Sequence, residues 1–170
     1  GHRATFAVPA ESAQVGLFAL LPQAAAAVDV PLIAAGGVMT AEQIAAALLL
    51  GASGVQLGSA LLRSPECGAS AAYKAALQGL GDTGTRLTRA FSGRWARGAV
   101  NRFMQEIDAA GDIPDYPIQN RLTQDLRAAA NAQGKAEYVS LWAGQAAGLS
   151  TVEPAGEIVR RLQSELEALL

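Results

Sequence analysis

VPLIAAGGVMTAEQIAAALLLGASGVQLGSALL, residues Val30 to Leu62, decides the fold. Its first run, Val30–Ala35, is apolar and partly β-branched, with Pro31 near its start. An unbroken apolar run closed by Gly36-Gly37 predicts a strand buried on both faces, as in parallel sheets. Thr40-Ala41-Glu42-Gln43 then places a hydroxyl three residues ahead of a glutamine. That is a capping-box pattern and predicts a helix opening at Thr40 and closing at Gly51. Gly54–Leu57 is the next predicted strand, and Gly58-Ser59-Ala60 turns into another predicted helix. Strands alternating with helices imply parallel pairing, a right-handed crossover and an α/β architecture.

Outward from this stretch the pattern is less regular. Residues 1–15 read as loop. Val15–Val28 reads as a helix, with Leu17, Leu20, Leu21, Ala24 and Val28 at helical spacing and Pro22 expected in its first turn. Ala69–Gln78 is a further predicted helix. RLTRAFSGRWARGAVNRFMQEI, from Arg86, reads as a short extended piece, a Gly-Arg-rich loop and a helix over Ala99–Ala109. GDIPDYPIQN is a loop, Arg121–Ala132 a helix, and YVSLWAGQAAGL a mixed segment. Pro154 opens a terminal helix whose apolar stripe is Ile158, Leu162, Leu166 and Leu169.

The 170 residues are 51% hydrophobic and 16% charged, enough apolar material for a core and too much for a disordered chain. A net charge of -2 with scattered basic residues advertises neither nucleic acid nor an anionic membrane. The single cysteine, Cys67, excludes an internal disulfide, and one cysteine with one histidine makes a structural zinc site a poor expectation. No apolar run reaches the roughly 20 residues of a membrane span. GHRATFAVPAESAQ lacks the layout of a signal peptide, so the expected compartment is the cytoplasm.

Both glycine turns are expected at the carboxyl ends of successive parallel strands, where α/β sheets bind ligands. In an eight-fold barrel a phosphate group sits at the loops after the last two strands, against a short extra helix. Glycines let main-chain N–H groups come close to an anion, and the helix expected after Ser59 would add its positive end and a hydroxyl. Gly51 and Gly54 are read as serving tight turns only. A Rossmann dinucleotide site would need G-x-G-x-x-G between strand and helix, and the sequence has none.

GHR, AAGGV and GVQLGSALL, followed in order by FSGRWARG, YPIQN and SLWAGQ, resemble the nitronate monooxygenases, also called 2-nitropropane dioxygenases. The resemblance runs from Gly1 to about Gly148. It implies an FMN-dependent (β/α)8 TIM barrel with an added helical segment, of which this chain would be the C-terminal part. By that resemblance Gly37 contacts FMN, and Gln56, Leu57, Gly58 and Ser59 form the phosphate-binding strand end. Gly36 joins them from its place in the same turn. Family members often have Thr where Ser59 stands, and Ser keeps the hydroxyl. GHR matches a Gly-Gly-His element that follows the sixth strand of the family's barrel, so His2 would take a proton from the nitro or nitronate substrate or hydrogen-bond to it. Tyr116 and Asn120 sit in a loop that either reaches the pocket as substrate contacts or serves packing alone. Arg94, Arg97, Gln145, Trp95 and Trp142 are read as structural, and Cys67 as unreactive.

The implied reaction is oxidation of an alkyl nitronate, such as propionate 3-nitronate, to a carbonyl compound and nitrite with O2. The alternatives are an NADH-dependent quinone reductase or an enoyl-thioester reductase on the same barrel, and a non-catalytic ligand-binding or scaffold module. The expected layout is residues 1–68 as the last βα units with the FMN phosphate site, 69–153 as an inserted segment on the substrate side, and 154–170 as a barrel helix. A complete barrel takes about 250 residues. The expected partners therefore include the N-terminal half of the same barrel, alongside nitronate, O2 and a homodimer mate, with no metal.

Overall fold

The structure, a computed structural model, describes residues 14–170. Helix α1 (Leu17–Ala27), strand β1 (Ile33–Ala35), helix α2 (Ala41–Leu49) and strand β2 (Gly54–Gln56) follow in order. The strands pair in parallel with Ile33 opposite Gly54, Ala34 opposite Val55 and Ala35 opposite Gln56. The capping box forms as expected. Thr40 Oγ1 accepts from the Gln43 N–H, and Gln43 Oε1 accepts from the N–H groups of Thr40 and Met39. Gly51 closes the helix at φ +101, where an added Cβ would stand 2.8 Å from that of Ala25.

Three local expectations give way here. β1 is not buried on both faces: Ala34 is buried, but Ile33 is 61% exposed and Ala35 is exposed as well. Ala34 packs with Leu21, Ala47 and Ala52, so α1 and α2 cover one face of the pair and leave the other open. Pro22 lies inside α1 rather than in its first turn. It removes the donor to the Phe18 carbonyl, and both residues are exposed, so water can take that role. The helix expected after Ser59 is a single 3-10 turn, Ser59–Leu61. The Ser64 hydroxyl donates to the Leu61 carbonyl at 2.8 Å and Pro65 follows, which ends the turn.

Beyond it come α3 (Ala71–Ala76), β3 (Thr85–Thr88), β4 (Ala96–Ala99), α4 (Arg102–Ala110), α5 (Ile118–Ala132) and α6 (Ala155–Leu169). β3 and β4 form an antiparallel pair, so the expected Gly-Arg loop contains a strand, and α4 begins after Asn101 rather than at Ala99. Asn101 caps α4 by accepting from the Met104 N–H at 3.1 Å. α5 begins three residues before the expected Arg121, because Ile118–Asn120 already make the first turn and Gln119 is buried. Its Gln119 Nε2 donates to the Ala90 carbonyl and its Thr123 hydroxyl to that of Phe91, each at 2.6 Å.

α6 returns to the first unit. Ile158 and Leu162 pack with Val38 and Ile44, with Leu166 half-buried at the edge of that cluster, whereas Leu169 is 51% exposed. Glu66 accepts from the Ala155 N–H and so caps α6 from far along the chain. A second core gathers Leu77, Ala99, Ala130, Val139 and Leu141, and a third stacks Phe91 on Phe103 at 4.9 Å. No helix among the described residues is long and apolar enough to cross a membrane.

Candidate functional site

The parallel register carries the two glycine turns out of the sheet at one level. Ala35 faces Gln56, so Gly36-Gly37 and Leu57-Gly58 emerge side by side. Gly36 and Gly37 have φ +117 and +77, a region that side chains rarely enter. Gly58 has φ -113, and a Cβ built on Gly37 or Gly58 would meet nothing within 4 Å. The space beside both turns is open.

That space is a cavity of about 250 Å3. Gly36, Gly37, Gln56, Gly58 and Ser59 line it together with Val38 and Met39. Leu57 does not line it and instead packs against the core cluster of Val38 and Ile158. No described residue that lines it carries a charge. The main-chain N–H groups of Gly37 and Gly58 have no acceptor among the described residues. Bare amides, one hydroxyl and no carboxylate make a donor set suited to an anion.

A third segment enters this cavity: Gly144, Ala146 and Ala147. Its path is set by β4. Gly98 bridges to Trp142, and Ala99 N–H donates to the Leu141 carbonyl at 2.8 Å. The close approach needs glycine, because a Cβ on Gly98 would stand 2.9 Å from that carbonyl oxygen. The Tyr73 hydroxyl holds the same strand by donating to the Trp142 carbonyl, and burial pushes that phenol far above its ordinary pKa. Gly144 then arrives at Ser59, donating its N–H to Ser59 Oγ at 2.9 Å. The residue pattern around Gly144 had pointed only to Gln145, read there as structural. The small residues Gly144, Ala146 and Ala147 give no periodic signal, and only the bridge to Gly98 brings them here.

A neighbouring cavity of about 460 Å3 shares Ala35, Gly36 and Gly37 and adds Arg97 and Gln145. Arg97 Nη1 donates to the carbonyl and hydroxyl oxygens of Thr85, both at 3.1 Å, and burial draws its pKa below the usual guanidinium value. Gln145 is exposed. Tyr116 and Asn120 do not line either cavity. The Tyr116 ring lies under the Arg94 guanidinium at 5.2 Å, and Asn120 Oδ1 accepts from Arg127 at 2.9 Å. His2 lies outside the described residues.

The family model described as nitronate monooxygenase matches residues 1–165. The chain is 41% identical over 172 residues to a probable nitronate monooxygenase of Staphylococcus aureus (strain Newman), covering 100% of this chain and 48% of that protein. A protein of the same description from strain MSSA476 is 42% identical with the same coverage. Among solved structures, a nitroalkane oxidase from Streptomyces ansochromogenes has a TM-score of 0.89 and 44% identity, over 96% of this chain and 47% of that one. FabK from Thermotoga maritima has a TM-score of 0.79 and 28% identity, over 92% and 50%. The chain spans about half the length of the curated relatives it matches.

Proposed function

The chain belongs to the nitronate monooxygenase family, and from that premise we propose that it supplies the phosphate site of an FMN-dependent enzyme that oxidises alkyl nitronates to a carbonyl compound and nitrite with O2. One observation carries the reading. Two successive strand ends present main-chain amides, unpaired among the described residues, to one open cavity whose described lining is uncharged. A doubly negative phosphate ester suits those donors, and among the described residues no carboxylate lines the cavity to repel it.

On this reading Gly36, Gly37, Gly58 and the Ser59 hydroxyl hold the phosphate, with Gln56 and the Leu57 main chain bordering it. The flavin, once bound, supplies the redox chemistry. The cavity beside Gly36 and Gly37 is then the place for ring and substrate. The Arg97 charge at its edge favours an anionic substrate. His2 is the proposed proton acceptor or hydrogen-bond donor to the nitronate, and Tyr116 and Asn120, which line neither cavity, are proposed to meet only a substrate that extends past them. β1 and β2 are proposed strands of a (β/α)8 barrel. The open face at Ile33 and Ala35, and the edges of a sheet that has only two strands among the described residues, are what further strands would cover.

Anaerobic mixing tests the activity. The purified protein should show flavin absorbance that propionate 3-nitronate bleaches and NADH does not. Rapid bleaching by NADH would instead identify a reductase on the same barrel, and a protein with no flavin absorbance would be a scaffold.

A further inference from the structure

The cavity at the strand ends has three walls, and the third comes from the far part of the chain. Ala146 lines it together with Gly144 and Ala147. The N–H groups of Gln145 and Ala146 have no acceptor among the described residues. Ser59 fixes the position of this wall. Its Oγ accepts the Gly144 N–H at 2.9 Å, a contact spanning 85 residues. With one lone pair so engaged, the hydroxyl hydrogen is left to donate, and among the described residues it has no acceptor.

We propose that the Gly144–Ala147 turn is part of the anion site, that it places Ala146 against the phosphate group of the flavin, and that Gly144 sets Ser59 as a donor toward that phosphate. This rests on the FMN reading above. It adds a wall that neither strand supplies and ties the distal segment to ligand occupancy. Phosphate then touches the parallel strand ends and the segment hung from β4 at once, so its binding draws the two together.

The test compares Ala146→Asp with Ala146→Asn in the intact protein, titrating FMN and riboflavin by quenching of flavin fluorescence. The two side chains are nearly isosteric and differ by one charge. The Asp variant should bind FMN about tenfold more weakly than the Asn variant. With riboflavin, which lacks the phosphate, the two should agree within about twofold. Equal FMN affinities, or the same gap with riboflavin, would overturn the wall. If thermal melts show that both variants unfold, Ser59→Ala and Ser59→Thr decide. The Thr variant should keep FMN affinity and the Ala variant should lose about fivefold for FMN alone. Equal FMN affinities for the Ala variant and wild type would overturn the proposal. Wild-type protein that binds neither flavin would overturn the proposed function together with this wall, whereas FMN binding without an Asp–Asn gap removes only the wall.

Discussion

Ala35 and Gln56 stand directly opposite one another across the parallel strands, and the level placement of the two glycine turns follows from that pairing. A shift of one residue would invert the faces of β1, sending Ala34 out from between α1 and α2 and Ile33 in. It would also set the two glycine turns at different heights. The Leu21–Ala34–Ala47 packing therefore holds the site's geometry as well as the core.

Gly58 and Gly37 separate ligand binding from backbone strain. Both have empty space where a Cβ would go, but only Gly37 has a positive φ, at +77. Gly58→Ala should leave the melting temperature nearly unchanged and weaken FMN binding, since its methyl enters the cavity. Gly37→Ala should weaken binding and also lose about 1–2 kcal/mol of stability from left-handed strain. Paired flavin titrations and thermal melts check both outcomes. A Gly58→Ala protein with full FMN affinity would speak against a phosphate at this turn.

Gly93 has a different task. Its φ is +82, and a Cβ there would lie 2.5 Å from both the Pro114 carbonyl oxygen and the Tyr116 nitrogen. Both are main-chain atoms of the loop into α5, so no side chain can swing aside. Gly93→Ala should cost about 2–4 kcal/mol, combining strain with overpacking. Urea unfolding would measure it, and a loss under about 1 kcal/mol would mean the loop yields.

Legibility in the sequence followed the strength of local signals. Thr40 and Gln43 announce their helix because a capping box is a side-chain device, and the structure forms it. Gly36-Gly37 and Gly58 were readable as paired turns for the same kind of reason. β4 was not legible: Ala96-Arg97-Gly98-Ala99 has neither β-branched residues nor alternation, and only pairing with Thr85–Thr88 makes it a strand. The Gly144–Ala147 wall depends on that strand in turn, and so stayed hidden with it. The open face of β1 eluded periodicity because an apolar run reads alike whether neighbours cover it or not.

Phe91 anchors the aromatic core. It is fully buried, stacks on Phe103 at 4.9 Å and meets Trp142 edge-on at 5.3 Å. Phe91→Ala should cost about 3–5 kcal/mol through lost transfer energy and a residual cavity, and Phe91→Leu distinctly less. Because Trp142 leads through Ala143 to Gly144, the Ala variant should also lower FMN affinity, while flavin titration of Phe91→Leu should show a smaller effect.

Glu66 makes the acid limb of stability testable. Its carboxylate accepts the Ala155 N–H at 3.0 Å from one oxygen and 3.2 Å from the other, at the first turn of α6. That bond is the main cause holding its pKa below the ordinary 4.5, followed by a bond to its own main chain; burial opposes them, and the nearby Lys74 charge adds the least. A carboxyl whose folded pKa is depressed stabilises the fold above its unfolded pKa and loses that contribution as pH falls through the folded value. The window therefore lies at and below the ordinary carboxylate range. Glu66→Gln keeps an oxygen acceptor but cannot titrate. Its stability between neutral pH and pH ~3 should fall less steeply than that of wild type, with the two curves converging at the acid end. Urea midpoints measured across that range check this, and parallel curves for the two proteins would show that the cap to α6 carries no charge-dependent stabilisation.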